Sequence, residues 1–502
     1  MNPRGSALDQ AIADPPPVTG VRDTSPMSGL RRRSLGFPGL LAQSVSAIAP
    51  CAAAATIPAM LVTASGDGAL WAAVLGAGLT LPVAAAINQF TKRVATAGSL
   101  YTFTAKGLGA TAAFLCGVGM ILGYAFIAMY SLANIGLQLS NLLAALGFGT
   151  GVLVPVLCVL GCGTACAVVM LRGVRVSARL SLLVESVAVA VLVGLVVVLF
   201  LGQGRRPIAR DLLAPQHLSF AGLVTGVVIA ITAFVGFESA ASLSVEARRP
   251  FAAVPRVLIW SPIATGILVV AATSVQTTGF RAAGVALDQD SAPVHALSSF
   301  YGVGWISPIL DCGVAASFFA CALASATALV RVLLSMGIDG VLPEAMSRTH
   351  PRFRTPHLAI GVSMPIVTAV PLVLLAVGVT SKTAVGILLV VSAGGYVLAY
   401  TLVCLAVPFF LRRIGEFTLG PAVVALTAAL GLAGCLLVFL GAEWRGPRSA
   451  GVWLFLLGVL LGLAAFRRTR QRGALLVGTH DTPIGTEVLG GAANAPGDRE
   501  PQ

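Results

Sequence analysis

The sequence predicts an all-α polytopic membrane protein. It is expected to have about twelve transmembrane helices: a 5+5 inverted repeat with broken helices 1 and 6, plus two C-terminal helices. Three observations predict this. The first is composition: 502 residues are 57% hydrophobic and only 10% charged, a balance that soluble domains of this size do not show. The second is that the apolar residues fall in long unbroken runs. Alternating ten-residue segments would be needed for a membrane barrel, so strand-built spans are excluded. The third is that two runs carry residues that break helices in mid-span. The first holds Pro50, and the sixth holds Gly236 followed by Glu238.

Taken in order, residues 1–34 contain Pro15-Pro16-Pro17 and scattered Gly, Ser and Asp, and they read as a disordered tail. Apolar spans follow near 35–63, 69–90, 109–147, 151–171, 179–201, 218–245, 254–278, 305–337, 357–378, 383–411, 419–441 and 450–466. The ten-helix core is therefore 35–411, helices 11 and 12 occupy 412–466, and 467–502 is a second polar tail. The first run is too long for a signal-peptide core and reads as an uncleaved span. The longest outside connections, 202–217 and 279–304, have room for one short helix each, so no soluble enzymatic module is expected.

A net charge of +13 raises the question of nucleic acid, but the arginines answer it by position. With the N-terminus inside, 25 of the 32 Lys and Arg residues fall on the tails and even-numbered connections. Clusters such as Arg31-Arg32-Arg33, Arg248-Arg249 and Arg467-Arg468 sit at span ends, as the positive-inside rule requires. This places both termini in the cytoplasm and makes the lipid bilayer, not nucleic acid, the partner of the charge. Arginine far outnumbers lysine among many Ala, Val, Leu and Gly residues, which points to a GC-rich bacterial genome and hence the bacterial plasma membrane.

No cofactor, metal site or enzymatic chemistry is expected. The histidines at 217, 295, 350, 357 and 480 are dispersed, mostly in connections. Cys158, Cys162 and Cys166 form an i, i+4, i+8 stripe on the fourth helix, but no His or carboxylate joins it. Small residues at a helix contact account for the stripe.

The interrupted spans point to function. A carboxylate at membrane depth is costly and marks a functional site by default. Unwound backbone survives there only where it lines a cavity or is buried in protein. Two interrupted helices in corresponding places of two halves are the sequence pointer to a transporter's binding site.

Four stretches carry a resemblance to a family. Ala233-Phe234-Val235-Gly236-Phe237-Glu238, with Glu246-Ala247-Arg248-Arg249-Pro250 and Pro255-Arg256 after it, forms an aromatic-x-Gly-aromatic-Glu core and a Glu-x-basic-x-Pro exit. Ala97-Gly98-Ser99-Leu100-Tyr101-Thr102-Phe103 with Gly107-Leu108-Gly109 precedes the third helix. Arg331 through Asp339-Gly340-Val341-Leu342-Pro343, then Arg354-Thr355-Pro356, follows the eighth. Gly173-Val174-Arg175-Val176-Ser177-Ala178 enters the fifth. In this order, over about residues 35–470, they resemble the amino acid–polyamine–organocation transporters. The resemblance implies a permease that moves an amino acid or related amine by alternating access. There are departures. The family's Gly-rich break in helix 1 is replaced by Pro50-Cys51-Ala52-Ala53, and Ile338 stands where Arg commonly precedes Asp-Gly. The helix-5 lysine of some proton-coupled members aligns with Ala188.

The site is expected to work as follows. Pro50 opens the second half of the first span and leaves the amides of Cys51, Ala52 and Ala53 free beside Ala49, an anion site suited to a substrate carboxylate. The break in the sixth span frees carbonyls near Ala233, Phe234 and Val235 for an ammonium group, with Gly236 at the break. Phe234 and Phe237 could close over the ligand as a gate. Glu238 either carries a coupling proton or ties the broken helix to a neighbour. Glu185 either carries a coupling proton or partners a basic group near Arg175 and Arg179. Asp311 is expected near an outer end, and Arg331 at an inner end, snorkelling or at the inner gate. Sodium coupling is the alternative. The resemblance would place that ion between helix 1 carbonyls and helix 8 hydroxyls, and Ser325 and Thr327 are the residues at hand. A sodium symporter, an exchanger and a non-transporting sensor remain as other readings.

Overall fold

A computed structural model describes residues 29–31, 33–148, 151, 153–202, 218–283 and 293–470. The tails predicted over 1–34 and 467–502 lie mostly outside these residues. Leu30 and Ser34, near the end of the first, are buried, as is Leu35 after them.

The described chain is helical. The first span is two helices, α1 (Phe37–Ile48) and α2 (Pro50–Ser65). A short turn at Gly66–Gly68 leads to α3 (Ala69–Thr91). The continuous 55-residue apolar stretch Phe37–Thr91 therefore holds two crossings. As one straight helix it would run about 80 Å, far beyond a hydrocarbon core of about 30 Å. With ten further apolar helical stretches, the described residues match about twelve spans. A separate helix not foreseen as an element, α4 (Leu100–Leu108), precedes α5 (Ala110–Ala145), and Gly109, at φ 85°, makes the corner between them. Then come α6 (Leu153–Arg172), α7 (Val174–Gly202), α8 (Phe220–Thr232) and a 3-10 helix over Phe237–Glu246. They are followed by α9 (Pro250–Ala283), α10 (Pro293–Phe300), α11 (Ser307–Ile338), α12 (His357–Ala376), α13 (Ser381–Arg413), α14 (Leu419–Glu443) and α15 (Ser449–Arg470).

The bundle is built around α5, which packs directly against both α11 and α13. Their contacts depend on missing side chains. Gly119 and Gly123 of α5 meet Gly395 and Tyr396 of α13 so closely that an added Cβ would lie under 3 Å from them. At the periphery, α6, α7, α14 and α15 expose Leu157, Leu183, Leu430 and Leu460, as lipid-facing helices do. The cysteine stripe lies on α6. There Cys166 is buried and Gly163 abuts Thr368 of α12, so this face is a helix contact.

The arginine-rich end of the bundle is closed by specific bonds. Leu35 forms a parallel bridge with Ala247, donating its N–H to the Glu246 carbonyl at 2.9 Å and accepting from Arg248 N–H at 2.9 Å. Arg331 of α11 makes an ion pair at 2.9 Å with Glu246, and both side chains are at most 3% exposed. Tyr101 donates to Asp339 at 2.9 Å, and Ser244 exchanges two bonds with the Thr96 backbone. Desolvation offsets much of the attraction in a buried pair of this kind, while removing one partner would leave an uncompensated buried charge.

Candidate functional site

Each interruption holds one left-handed residue. In the first span the break falls on Ala49, at φ 53° and ψ 62°, not on Pro50–Ala53 as the sequence suggested. Proline's fixed φ suits the first position of a helix, and its ring disfavours helical backbone in the residue before it. So Pro50–Ala53 form the first turn of α2, and the kink moves back by one residue. In the sixth span α8 stops at Thr232, a turn covers 233–236, and Gly236 at φ 95° enters the 3-10 helix.

The two breaks touch. A Cβ on Gly236 would lie 2.8 Å from the Cβ of Ala47 and 3.0 Å from its carbonyl, so only glycine fits. Ser44 donates to the Phe237 carbonyl at 2.5 Å, and Ser239 donates to the Gln43 carbonyl at 3.2 Å. These bonds couple α1, the N-terminal half of the first span, to the 3-10 helix that ends the sixth.

A cavity of about 30 Å³ lies between the breaks, room for water but not for an amino acid. Ala49, Ala52 and Ala53 border it on one side; Thr232, Ala233 and Val235 border it on the other. Tyr130 of α5 and Phe318 of α11, edge to face at 5.7 Å between ring centres, complete the wall. Its remaining lining is mostly apolar, including Ile57, Ile127 and Leu389, with the Thr56 hydroxyl and the Cys321 thiol among it, and no charged side chain borders it. Phe234 and Phe237 do not border this cavity. They turn the other way, with Tyr400, into an apolar cleft against Leu79, Thr80 and Val83. The aromatic pair over the cavity was missed because Tyr130 and Phe318 sit inside unbroken helices, where an aromatic side chain reads as ordinary core.

The expected free amides are not free. Cys51 N–H donates to Glu185 Oε1 at 3.3 Å, and Ala52 N–H donates to Ser317 Oγ at 3.2 Å. Ser317 in turn donates to Glu185 Oε1 at 2.9 Å. Ala53 N–H bonds the Ala49 carbonyl at 2.9 Å. The chain's own carboxylate from the fifth span thus stands where a ligand's was expected. Glu185, not Ala188, faces the break, and its hydrogen-bond partners are an amide and a hydroxyl rather than a basic group. The signal available in the sequence was an acid inside a span, which must find donors.

Glu238 is fully buried, and both oxygens are bonded. Tyr124 of α5 donates to Oε1 at 2.7 Å, and Tyr400 of α13 donates to Oε2 at 2.5 Å. Tyr396 packs between them, with ring centres 5.2 Å from Tyr124 and 5.9 Å from Tyr400.

The hydroxyls suggested for sodium diverge. Thr327 bonds the Leu323 carbonyl at 2.7 Å, and Ser325 lies 3.9 Å from Cys321 Sγ. The residues of α11 that reach the first break are Ser317 and Cys321, the latter donating to the Ala47 carbonyl at 3.2 Å. Asp311 is buried, and Arg331 is buried and paired with Glu246, which excludes snorkelling and leaves its gate reading standing.

The model of a known family, described as amino acid permease, matches residues 35–464. The chain belongs to the amino acid permease family. It is a multi-pass membrane protein of a transporter family. The branched-chain amino acid permease BcaP of Lactococcus lactis is 26% identical over 440 residues, covering 81% of this chain and 89% of that protein. The Bacillus subtilis protein of the same name is 25% identical over 319 residues, and only 65% of its length is spanned. The low-affinity putrescine importer PlaP of Escherichia coli is 25% identical over 75% of this permease and 80% of its own chain. Among solved structures, MhsT in complex with L-phenylalanine superposes with a TM-score of 0.59 at 15% identity. The match covers 82% of this permease and 99% of that chain, and it shows the shared fold.

Proposed function

We propose that this permease is a secondary active transporter of neutral amino acids with apolar side chains, working by alternating access in a bacterial plasma membrane. One observation carries the reading. Two broken helices meet at Gly236 and Ala47 around a mostly apolar cavity that no charged side chain borders. A putrescine-like or dibasic ligand would find no acid there, whereas branched aliphatic side chains match Ile57, Ile127 and Leu389. The names of the relatives from Lactococcus lactis and Bacillus subtilis agree with that choice. In this reading Ala49, Ala52, Ala53, Ala233 and Val235 contact the substrate, and Phe234, Gly236 and Phe237 set the shape of the second break. The cavity is too small for the ligand as it stands, so binding must part the breaks, and closure of the arginine-rich end leaves the opposite side to open first.

Proton coupling is part of the proposal. Glu238 and Glu185 are the buried carboxyls at the two breaks, and each contacts a span that would move against its neighbour. Sodium coupling is supported less, because Ser325 and Thr327 do not converge on the first break. Purified protein screened by thermal shift against amino acids and polyamines tests the substrate reading, since a ligand at a hundred times its Kd adds about 2.7 kcal/mol of stability. Valine, leucine and isoleucine are expected to raise the midpoint. A shift by putrescine or lysine alone would overturn the reading.

A further inference from the structure

The first turn of α2 is a helix N-terminus already held by an internal anion. Glu185 is 1% exposed, and its Oε1 accepts from the Cys51 amide and the Ser317 hydroxyl, while Ser317 accepts from the Ala52 amide. Its Oε2 is equally buried and has no hydrogen-bond partner. A buried carboxylate with one oxygen unbonded is held well below its bonding capacity. Glu238 is the opposite case, with a tyrosine hydroxyl on each oxygen. The cavity borders Ala49, Ala52 and Ala53, so it opens onto the same helix turn that Glu185 occupies from outside.

We propose that Glu185 is a stand-in for the substrate's carboxylate, and that the two compete for the amides of Cys51 and Ala52. A ligand carboxylate and an ionised Glu185 would be two like charges sharing one buried helix terminus. That arrangement drives one of the pair to take up a proton. The ligand keeps its charge, because its ammonium group travels with it. Glu185 therefore receives a proton from solvent, releases the Cys51 amide and donates that proton to Ser317 Oγ in a hydrogen bond, which in turn frees the Ala52 amide. Binding one amino acid takes up one proton, and the proton enters at the binding step. This inference rests on the permease reading and gives its coupling a location.

Among the described residues, the groups around Glu185 leave it the carboxyl placed for this. On α2 the neighbouring titratable group is the Cys51 thiol, and on α11 it is the Cys321 thiol. Elsewhere on α11, Asp311 lies beyond Gly313, which itself packs on Ala188. α1 carries no titratable side chain. α6 offers Cys158, Cys162, Cys166 and a terminal Arg172, and α9 offers Arg256 and Arg281 near its ends. On α7 itself Arg179 is exposed.

The test uses the purified full chain with L-leucine as probe. Leucine affinity is measured from mildly acidic to mildly basic pH, and proton uptake on binding is read in weakly buffered solution. Wild type is expected to take up about one proton per leucine and to lose about tenfold in affinity per pH unit once Glu185 ionises. Glu185→Gln is expected to bind leucine with no pH slope and no proton uptake. Ser317→Ala removes one donor from the internal carboxylate. It should bind leucine more tightly at high pH while keeping the proton count, which covers the case in which Glu185→Gln does not fold. Wild type that binds leucine without proton uptake overturns the inference alone, as does a Glu185→Gln variant that keeps the wild-type slope. Binding that requires sodium and takes up no proton overturns it in favour of a cation at Glu185. Wild type that binds no amino acid at any pH overturns the permease reading, and this inference with it.

Discussion

At the residue scale, two glutamates in similar surroundings have different bonding. Glu238 is held on both oxygens by tyrosines from α5 and α13, so it ties the broken sixth span to two unbroken ones. Adding a proton to it converts an acceptor into a donor, and one of the two tyrosine bonds must rearrange. That makes it suited to the conformational step, while Glu185 touches the binding step. Glu238→Gln is accordingly expected to abolish uphill, pH-dependent uptake in proteoliposomes and to keep substrate exchange. A membrane potential of 100 mV is worth about 2.3 kcal/mol per charge, roughly fifty-fold accumulation for a zwitterion carried with one proton. The variant should lose that ratio and approach equal concentrations on the two sides. Uptake that stays concentrative with the wild-type pH profile would remove Glu238 from the coupling path.

At the scale of elements, each break was legible as a break, but its placement depended on a neighbour. Pro50 announced an interruption, yet the left-handed residue is Ala49, because a proline fits the start of α2 and strains the residue before it. Gly236 announced the other, and its reason is contact as well as conformation: φ is 95°, and Ala47 leaves no room for a Cβ. Replacing Gly236 with Leu is expected to reduce uptake to below one-tenth while leaving the protein inserted and expressed, as read by surface labelling and transport in the same cells; the positive φ alone costs a non-glycine residue about 1–3 kcal/mol. Normal uptake by Gly236→Leu would show that the two breaks need not touch.

At the scale of the whole molecule, the arginines that oriented the sequence lie at the end that is closed. Arg331, Glu246, Leu35 and the Thr96–Ser244 bonds lock the side to which the sequence assigns 25 of the 32 Lys and Arg residues. If that side is cytoplasmic, single cysteines placed at Ser6 and Gly490 in a cysteine-free background should be silent to an impermeant reagent outside intact cells. They should react in inverted vesicles. Labelling from outside at either position would reverse the molecule and, with it, the side that opens first.

The sequence by itself determined the helical membrane class, the number and approximate limits of the spans, the presence of two interruptions and the acids beside them. All of these follow from local quantities: hydropathy over a span, the backbone limits of Pro and Gly, and the cost of a charge in lipid. Tertiary structure decided which groups meet. It placed Glu185 on the Cys51 amide and gave Glu246 to Arg331. It set Tyr130 and Phe318 over the cavity and turned Phe234 and Phe237 away. It also put Ser317 and Cys321, not Ser325 and Thr327, beside the first break, a difference of about two turns of α11. The physical reason is that a span's composition fixes that it crosses the bilayer. Its rotation and depth are set by packing against other helices, where glycines such as Gly123 and Gly395 let backbones approach, and no local pattern records that register.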